Sequence, residues 1–465
     1  MSIGHNQDPT RGRNESPVSA IQSSGAVRDE PELSKPGFLD LAKRLWEGFS
    51  RQHAAFKIAC VYLIFEYNRP HQIWPVLDFL PWAQVLLISG LLLTALDPEA
   101  RKPRPGVIVL LAAFALAMIL STAFAYSTQT AMLSWHIWLS WIFVVVFLTR
   151  EVSTRERVLL FVFVYYLVNL KMAQHGFRTW AGRGFGMAGW GVTGSPGWFA
   201  NSGEFGMEMA MLVPLLGAHL LVIRKRMNRP VLLAGAFFLA MVIGSVIASN
   251  SRGALLGLAV AALWLLASSR RRLKALVVLA IATMAVIAVI PEETMRRFDT
   301  AGTDLTSQSR LTYWKYGIEA VHENPVFGMG LRNWVPYLTD RHPEAFEVTG
   351  RIEVIHNTYL QVATELGLFG LAIFVATLAY VFRLNAVTAA KATARGDPWL
   401  STTATGLNGG LVVYLVTSFF MAVLLYPYLW LLLAMSAACA SALKNDHLSL
   451  PASGDRPDLL GALRT

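Results

Sequence analysis

Charged residues are scarce in this chain, and cysteine is nearly absent. Only 15% of the 465 residues are Asp, Glu, Lys or Arg, whereas 54% are hydrophobic. A soluble domain of this length does not bury so much apolar surface, so that class of protein is excluded. The two cysteines, Cys60 and Cys439, lie in apolar runs at opposite ends of the sequence, which argues against a disulfide framework or a thiolate metal site.

The formal net charge of +10 does not indicate a nucleic-acid partner. Lys and Arg are concentrated in short loops beside apolar runs, as the positive-inside rule expects of a membrane protein. The first 33 residues are polar and lack the apolar core of a cleavable signal peptide. They predict a disordered cytoplasmic tail.

Long apolar runs are plentiful, and they predict an all-α polytopic membrane protein with about 12 transmembrane helices and a large periplasmic loop bearing short helices. The runs are 54–65, 77–96, 107–125, 131–148, 158–172, 205–223, 231–248, 254–267, 273–290, 359–382, 407–425 and 428–443. The predicted domains are a disordered cytoplasmic tail at 1–50, transmembrane helices 1–9 within 51–290, a periplasmic loop at 291–355, transmembrane helices 10–12 within 356–445, and a cytoplasmic tail at 446–465.

Lys and Arg recur in alternate loops, which sets the predicted orientation. They are concentrated at 101–104, 150–157, 224–229, 270–274 and 383–395. Because positive residues mark the cytoplasmic side, these loops and both termini are predicted to be cytoplasmic. The other face receives the loops at 68–70, 173–204, 249–253 and 291–355. We expect the chemistry of the protein on that face.

Three residues on that face are candidates for chemistry. Arg252 lies in a short turn between two apolar runs, and Arg310 stands at the start of a helix predicted within the long loop; arginine binds phosphate with paired hydrogen bonds. His356 lies where this loop meets the next apolar run, and imidazole is suited to act as a general base. Each residue alone also fits a plainer interpretation: an arginine at lipid head groups, a solvated helix start and a structural histidine.

Residues around the histidine add to this pattern. Gly367 and Gly370 are spaced to allow the close approach of another span. Glu365 is a candidate buried carboxylate that orients a partner, with Glu353 and Glu204 as alternatives. The stretch 178–198, rich in glycine and tryptophan, is either a surface that stacks on sugar rings or part of an aromatic belt at the membrane interface.

Metal ligands are poorly represented on this face. There is no pair of histidines at helical spacing and no Asp-x-Asp motif, and the carboxylates are scattered. We therefore predict a metal-independent mechanism.

Several motifs taken together resemble the O-antigen ligase and O-antigen polymerase superfamily. They are Ser251-Arg252-Gly253-Ala254; Ser309-Arg310 with Trp314, Asn324-Pro325 and Gly328-x-Gly330; and His356-Asn357 with Gly367 and Gly370. The run Phe65-Glu66-Tyr67-x-Arg69-Pro70 is also similar to a subgroup, the O-glycosylation ligases associated with exosortase systems.

The resemblance implies a cofactor-free integral-membrane glycosyltransferase of the bacterial inner membrane. It implies transfer of a glycan from undecaprenyl pyrophosphate, with inversion, to a hydroxyl of an acceptor glycan, lipid or protein on the periplasmic side. By motif position, Arg252 and Arg310 bind the pyrophosphate and His356 activates the hydroxyl. Arg178 or Arg183 is an alternative for the first arginine. Further substrate-binding candidates are Arg332, Asn357 and Trp314.

Other functions remain open at this point. A polymerase that joins lipid-linked repeat units handles the same pyrophosphate and differs in the acceptor. A transporter of a lipid-linked sugar or an anion predicts charged residues along a path within the spans. A noncatalytic scaffold of an envelope assembly complex is the third alternative.

Overall fold

In the computed structural model of the protein, the described residues are 36–186, 191–224, 226–269, 304–350 and 352–445, with isolated positions at 273, 276, 277, 280 and 284. Within these ranges every regular element is a helix, and no β-strand occurs. The prediction of an all-α polytopic membrane protein is therefore confirmed.

The first half of the chain forms helices α1 to α11. They are α1 Phe38–Ser50, α2 Ala54–Asn68, α3 Pro70–Ile73, α4 Trp82–Thr94, α5 Pro105–Ala123, α6 Thr128–Leu133, α7 Trp135–Glu151, α8 Arg155–Gly182, α9 Ser202–Ile223, α10 Arg229–Ala248 and α11 Arg252–Ser268. The second half forms α12 Leu305–Glu323, α13 Trp334–Arg341, α14 Glu344–Thr349, α15 Thr358–Ala394, α16 Pro398–Thr417 and α17 Pro427–Asn445. Short 3-10 turns occupy Pro75–Leu77 and Ser418–Phe420.

Eight helical segments of the described chain are long and apolar enough to cross a membrane. They are α5, α6 with α7, α8, α9, α10, α15, α16 and α17; α4 and α11 are shorter apolar helices. The predicted number of about twelve transmembrane helices is not confirmed. At the first predicted span, α2 has 15 residues, which reach about 22 Å, whereas a bilayer core is about 30 Å thick. The predicted span at 273–290 lies almost wholly outside the described residues.

The predicted disordered tail at 1–50 contains a helix, α1, in its last part. Leu41, Leu45 and Phe49 recur at helical spacing and pack against the core of the bundle. Burial of this apolar face stabilises a helix where the polar composition had predicted disorder. Residues 1–35 lie outside the described part of the chain.

The predicted periplasmic loop at 291–355 carries α12, α13 and α14 in its described part. These helices bury a small core of their own, which includes Tyr313, Trp334 and Ile355. The helix expected from Ser309 onward is α12, and it begins earlier because Asp304 caps its first turn. The predicted end before Asn324-Pro325 is observed.

The central helix of the bundle is α9, which packs against α10, α11 and α16. Small residues of α16 allow this close packing. A Cβ on Gly406 would lie 2.7 Å from Leu215 Cα, and one on Gly409 would lie 2.4 Å from Pro214 Cβ. Close backbone contact of this kind is what associates helices when the surroundings are as apolar as the helices.

One end of the bundle is held together by buried ion pairs. Arg157 donates to Asp97 at 2.8 Å and lies 3.4 Å from Glu151, and Arg155 pairs with Asp397. These residues lie at the carboxyl ends of α4 and α7 and the amino ends of α8 and α16. Helices α9, α11, α15 and α17 all begin at the opposite end.

Helix α15 is broken once, at Gly367, where φ is 70° and ψ is −175°. The turn 325–330 fills the break. The N–H groups of Leu368 and Phe369 donate to carbonyls of this turn at 2.8 and 3.2 Å, and an N–H of the turn donates to the Thr364 carbonyl at 2.8 Å. The turn therefore satisfies backbone groups that the break removes from the helical pattern.

Gly367 thus admits a loop, whereas its spacing had predicted the approach of another span. A Cβ on Gly367 would lie 2.2 Å from the Val326 carbonyl oxygen, and a Cβ on Gly328, whose φ is +71°, would lie 2.5 Å from Gly367 N. At Gly370 the neighbouring atoms belong to Leu366 of the same helix. The backbone contact between two glycines anchors the loop that leads to the candidate site.

Candidate active site

Several helix starts meet at the end of the bundle opposite Arg157. Arg252 is the first residue of α11, Glu204 lies in the first turn of α9, and His356 and Asn357 directly precede α15. First turns leave free N–H groups and carry the positive end of the helix dipole, so polar caps and acidic side chains are favoured there. Segments that are far apart in the sequence therefore bring polar groups to one place.

The Arg252 guanidinium holds Asp304 in a two-pronged ion pair. Nη1 donates to Oδ2 at 3.0 Å and Nη2 donates to Oδ1 at 3.4 Å, while Nη2 also donates to Ser307 Oγ at 3.1 Å. Asp304 in turn caps α12 by accepting from the Ser307 N–H at 3.1 Å. One carboxylate therefore joins the start of α11 to the start of α12.

This ion pair lowers the pKa of the Asp304 carboxyl group. Partial burial opposes ionisation of Asp304, but hydrogen bonds from Arg252 and Ser307 outweigh it and lower the pKa of Asp304 to about 2. An unfolded aspartate has a pKa of about 3.9. The pair therefore contributes stability above about pH 4, and this contribution is lost as the pH falls toward 2.

Arg310 lies less than two helical turns after Asp304 on α12 and is half-buried. Burial and the neighbouring Arg252 cation lower the pKa of Arg310, while three carboxylates, Asp304, Glu204 and Glu353, act in the opposite direction. Its Nε atom is buried and has no hydrogen-bond partner among the described residues. Buried donors are normally satisfied, so this N–H is available to an oxygen of a ligand.

His356 is held in a left-handed backbone conformation with φ 51°. Its Nε2 atom lies 3.3 Å from Glu353 Oε2. The backbone just before His356 is fixed by two indoles: Trp334 Nε1 donates to the Glu353 carbonyl at 2.9 Å, and Trp314 Nε1 donates to the Ile355 carbonyl at 3.1 Å. The small core of the loop thus positions the imidazole.

Glu204 connects the histidine with the arginines. Its carboxylate lies within electrostatic reach of both His356 and Arg310. Arg310 in turn lies within electrostatic reach of Arg252. The Tyr428 hydroxyl donates to the Glu204 carbonyl at 2.7 Å and ties α17 to the start of α9. The structure therefore brings the three sequence candidates together. We call the following residues the Arg-His cluster: Arg252, Arg310, His356, Glu204, Asp304 and Glu353.

The remaining sequence candidates lie in different surroundings. The Asn357 side chain caps α15 by accepting from the Leu360 N–H at 3.0 Å, and the indole of Trp314 is engaged as described above. Arg332 is exposed in the turn before α13, with φ 56°. Arg178 and Arg183 are exposed near the end of α8, and the described contacts of the Arg-His cluster involve neither of them.

Sequence reasoning missed Asp304, although a signal was present. Asp-x-x-Ser at 304–307 is a helix-start pattern, and it places a carboxylate shortly before Arg310 in the sequence. Glu365, predicted to orient a partner, is buried beside the turn that follows Gly330, where the backbone of Arg332 hydrogen bonds to its carboxylate.

The chemistry available to the Arg-His cluster follows from its residue types. Two guanidinium groups suit a polyanion, and one imidazole suits proton transfer. No group of three or more His, Cys, Asp or Glu side chains is arranged to hold a metal ion in the part of the chain that the structure describes.

Fold and site together define a polytopic helical membrane protein whose candidate reactive groups gather at one end of the bundle. Residues 236–375 match the family model described as O-Antigen ligase. This match confirms the resemblance to the O-antigen ligase and polymerase superfamily over that segment, which contains Arg252, Arg310 and His356. At the family level it supports a ligase-type or glycosyltransferase-type enzyme. A comparison with curated proteins finds no match.

Proposed function

We propose that this protein transfers a glycan from undecaprenyl pyrophosphate to an acceptor hydroxyl at the periplasmic face of the bacterial inner membrane. The observation that carries the proposal is the Arg-His cluster, in which two guanidinium groups and an imidazole meet within the segment matched by the family model. The Lys- and Arg-rich loops at the Arg157 end support a cytoplasmic location for that end, and therefore a periplasmic location for the cluster.

In the proposed step, the acceptor oxygen attacks the anomeric carbon, and the bond from that carbon to the pyrophosphate oxygen breaks. The hydroxyl proton passes to His356, and undecaprenyl pyrophosphate leaves with the bonding electron pair. Attack opposite the leaving group inverts the anomeric configuration. Glu353, which accepts from Nε2, keeps a proton on that nitrogen and leaves Nδ1 as the basic atom.

Arg310 is suited to the charge that develops on the leaving pyrophosphate. Its half-buried guanidinium has a donor without a protein partner, and preorganised donors act strongly where little water enters. Arg252 differs because Asp304 already engages both of its terminal nitrogens. A pyrophosphate bound there shares the guanidinium with this carboxylate or displaces it.

Competition between Asp304 and the substrate leads to a prediction. Asp304→Asn retains an oxygen that caps α12 but removes the negative charge that holds Arg252. We expect inorganic pyrophosphate to inhibit transfer about two- to fivefold more tightly in this variant, the range given by a partly exposed ion pair. The measurement is the inhibition constant of pyrophosphate in a transfer assay.

Asp340→Asn is the matched control, because Asp340 is an exposed aspartate of the same loop that accepts from the Tyr126 hydroxyl. It is expected to leave the inhibition constant unchanged. Since the pKa of Asp304 is about 2, the difference between Asp304→Asn and the parent protein should be the same at pH 6 and pH 8. Weaker inhibition in Asp304→Asn would show that the carboxylate positions Arg252 for pyrophosphate and does not compete with it.

A polymerase performs the same chemistry with a second lipid-linked repeat unit as acceptor. Offering a lipid A core, a protein and a lipid-linked repeat unit as acceptors separates the two activities. A ligase yields one addition per acceptor, whereas a polymerase yields a ladder of products on the lipid carrier.

The location of the cationic candidates favours transfer over transport, because the buried Glu208 and His219 within the spans serve to join helices. Tyr165 donates to Glu208 at 2.7 Å, and His219 contacts Tyr166 and Thr403 at 2.6 and 3.0 Å. These pairs join α8, α9 and α16, as hydrogen bonds between membrane helices do. The cationic candidates instead gather at one membrane face.

A further inference from the structure

A second group of cationic and aromatic side chains lies beside the Arg-His cluster. Trp198 precedes α9 and Tyr426 precedes α17, and their ring centroids are 5.0 Å apart. The Arg69 guanidinium carbon lies 5.1 Å from the Trp198 ring centroid. Both rings are only half-buried. They therefore offer open aromatic surface next to a cation.

The ring pair is held in place from behind. Trp198 Nε1 donates to the carboxylate of buried Glu66. The buried Trp141 ring lies 5.9 Å from Trp198, and its Nε1 donates at 2.7 Å to the carbonyl of the residue before Tyr426. These hydrogen bonds fix the Trp198 ring and the backbone beside Tyr426, which makes a rigid surface.

Arg69 is also fixed. It has φ 43° where α2 passes into α3, and its guanidinium occupies the space in which a Cβ of Gly197 would lie, 2.2 Å from Arg69 Cζ. A glycine is needed at that position for the guanidinium to reach the Trp198 ring.

Two cations near these rings form no ion pair with any residue that the structure describes: Arg69 and Arg332. Arg69 lies over the Trp198 ring, and Arg332 lies within electrostatic reach of the Tyr426 hydroxyl. Burial and the Glu204 carboxylate raise the pKa of Tyr426 to about 12, and Arg332 and Arg69 act in the opposite direction. The Tyr426 and Tyr428 rings stack with their centroids 5.9 Å apart, and the Tyr428 hydroxyl donates to the Glu204 carbonyl, which links the ring pair to the Arg-His cluster.

We propose that Arg69, Arg332 and the Trp198–Tyr426 ring pair form a subsite for an anionic sugar next to the Arg-His cluster. The rings pack on the apolar face of the sugar, and the two guanidinium groups bind its carboxylate or phosphate. This inference rests on the proposed function, because it names a substrate class for the same site. Glu204 lies within electrostatic reach of both Tyr426 and His356, so the bound sugar is close to the reacting bond.

Binding of a soluble probe tests the subsite without requiring transfer. The probe is a glucuronate-containing oligosaccharide, and its carboxyl-reduced form is the neutral match. The full-length protein in detergent is expected to bind the acidic form about tenfold more tightly by calorimetry. In Arg69→Gln and in Arg332→Gln the two affinities should approach each other.

Control variants separate the subsite from the proposed function. Arg341→Gln, at an exposed arginine of α13, and His356→Ala should both retain the preference for the acidic probe. Arg332→Gln is the variant least expected to affect folding, because Arg332 is exposed. Equal affinities in the unaltered protein overturn the proposal, as does an unchanged preference in both subsite variants at an unchanged melting temperature.

Transfer assays then identify the source of the anionic sugar. The carboxylate is placed on the lipid-linked donor alone or on the acceptor alone. In Arg69→Gln the KM for the acidic partner should rise about tenfold and the KM for its neutral match should not change. A preference for the acidic probe in a protein that transfers no glycan would contradict the proposed function and retain the subsite. Loss of transfer in His356→Ala, with an unchanged preference for the acidic probe in both subsite variants, would support the proposed function and contradict the subsite.

Discussion

Glycan transfer by His356→Ala is expected to be slower by about 10²- to 10⁴-fold, the usual contribution of a general base. In the proposed step the imidazole takes the acceptor proton, and Glu353 holds its Nε2 atom. The measurement is the initial rate of transfer from a lipid-linked glycan by the purified protein. His322→Ala, at an exposed histidine of α12, is the matched control and should keep the parent rate.

In the same assay, Arg310→Ala is expected to lower the initial rate of transfer about 10²- to 10³-fold, because a preorganised donor to the leaving group is removed. Arg341→Ala, at an exposed arginine of α13, is its control. Adding a chelator should have little effect, since guanidinium groups take the place of a metal ion in the proposed step. Parent rates in both cluster variants would remove the basis of the site assignment, and a rate that depends on chelator would refute the metal-independent mechanism.

Gly367→Ala is expected to destabilise the fold strongly. The φ of 70° with ψ of −175° is a conformation that essentially only glycine adopts. The new Cβ would also lie 2.2 Å from the Val326 carbonyl oxygen. We expect destabilisation of more than about 3 kcal/mol, because strain and overlap act together. The measurement is the melting temperature in detergent.

Gly396→Ala provides the matched control for this variant. Gly396 also has a positive φ, of +71°, but no atom lies within 4 Å of the position of its Cβ. It should lose only about 1–2 kcal/mol, the cost of the left-handed backbone alone. Similar melting temperatures for the two alanine variants would show that the contact between the turn 325–330 and α15 contributes little to stability.

Much of the fold was predictable because membrane helices are specified locally. Apolar runs identified α5, α7, α9, α10 and α17 within a few residues, since the bilayer requires long apolar helices. The run 359–382 stops twelve residues before the end of α15, and the run 407–425 begins nine residues after the start of α16. The predicted loop helix was found as α12 because its apolar residues recur at helical spacing. The helical end of the tail was not predicted, because α1 depends on the bundle surface that covers Leu45.

The candidate site was predictable in its residue types and only partly in its arrangement. Arg252, Arg310 and His356 were selected because cations and a titratable group at a membrane edge are costly without a task. Their carboxylate partners were harder to find, since Asp304 reaches Arg252 across more than 50 residues of sequence. The contact between Tyr426 and Trp198 could not be predicted from the sequence, because two aromatic residues in separate loops resemble any aromatic residues at a membrane interface.

The amino-acid sequence by itself determined that the chain is a bundle of membrane helices and which residues are candidates for chemistry, because hydropathy and charge bias act residue by residue. Only the tertiary structure decided which of these residues meet. The meeting depends on helix starts brought to one end of the bundle, on a glycine break that admits the turn 325–330, and on indole hydrogen bonds that fix the backbone beside His356. Such contacts join positions far apart in sequence, and no local pattern encodes their distance.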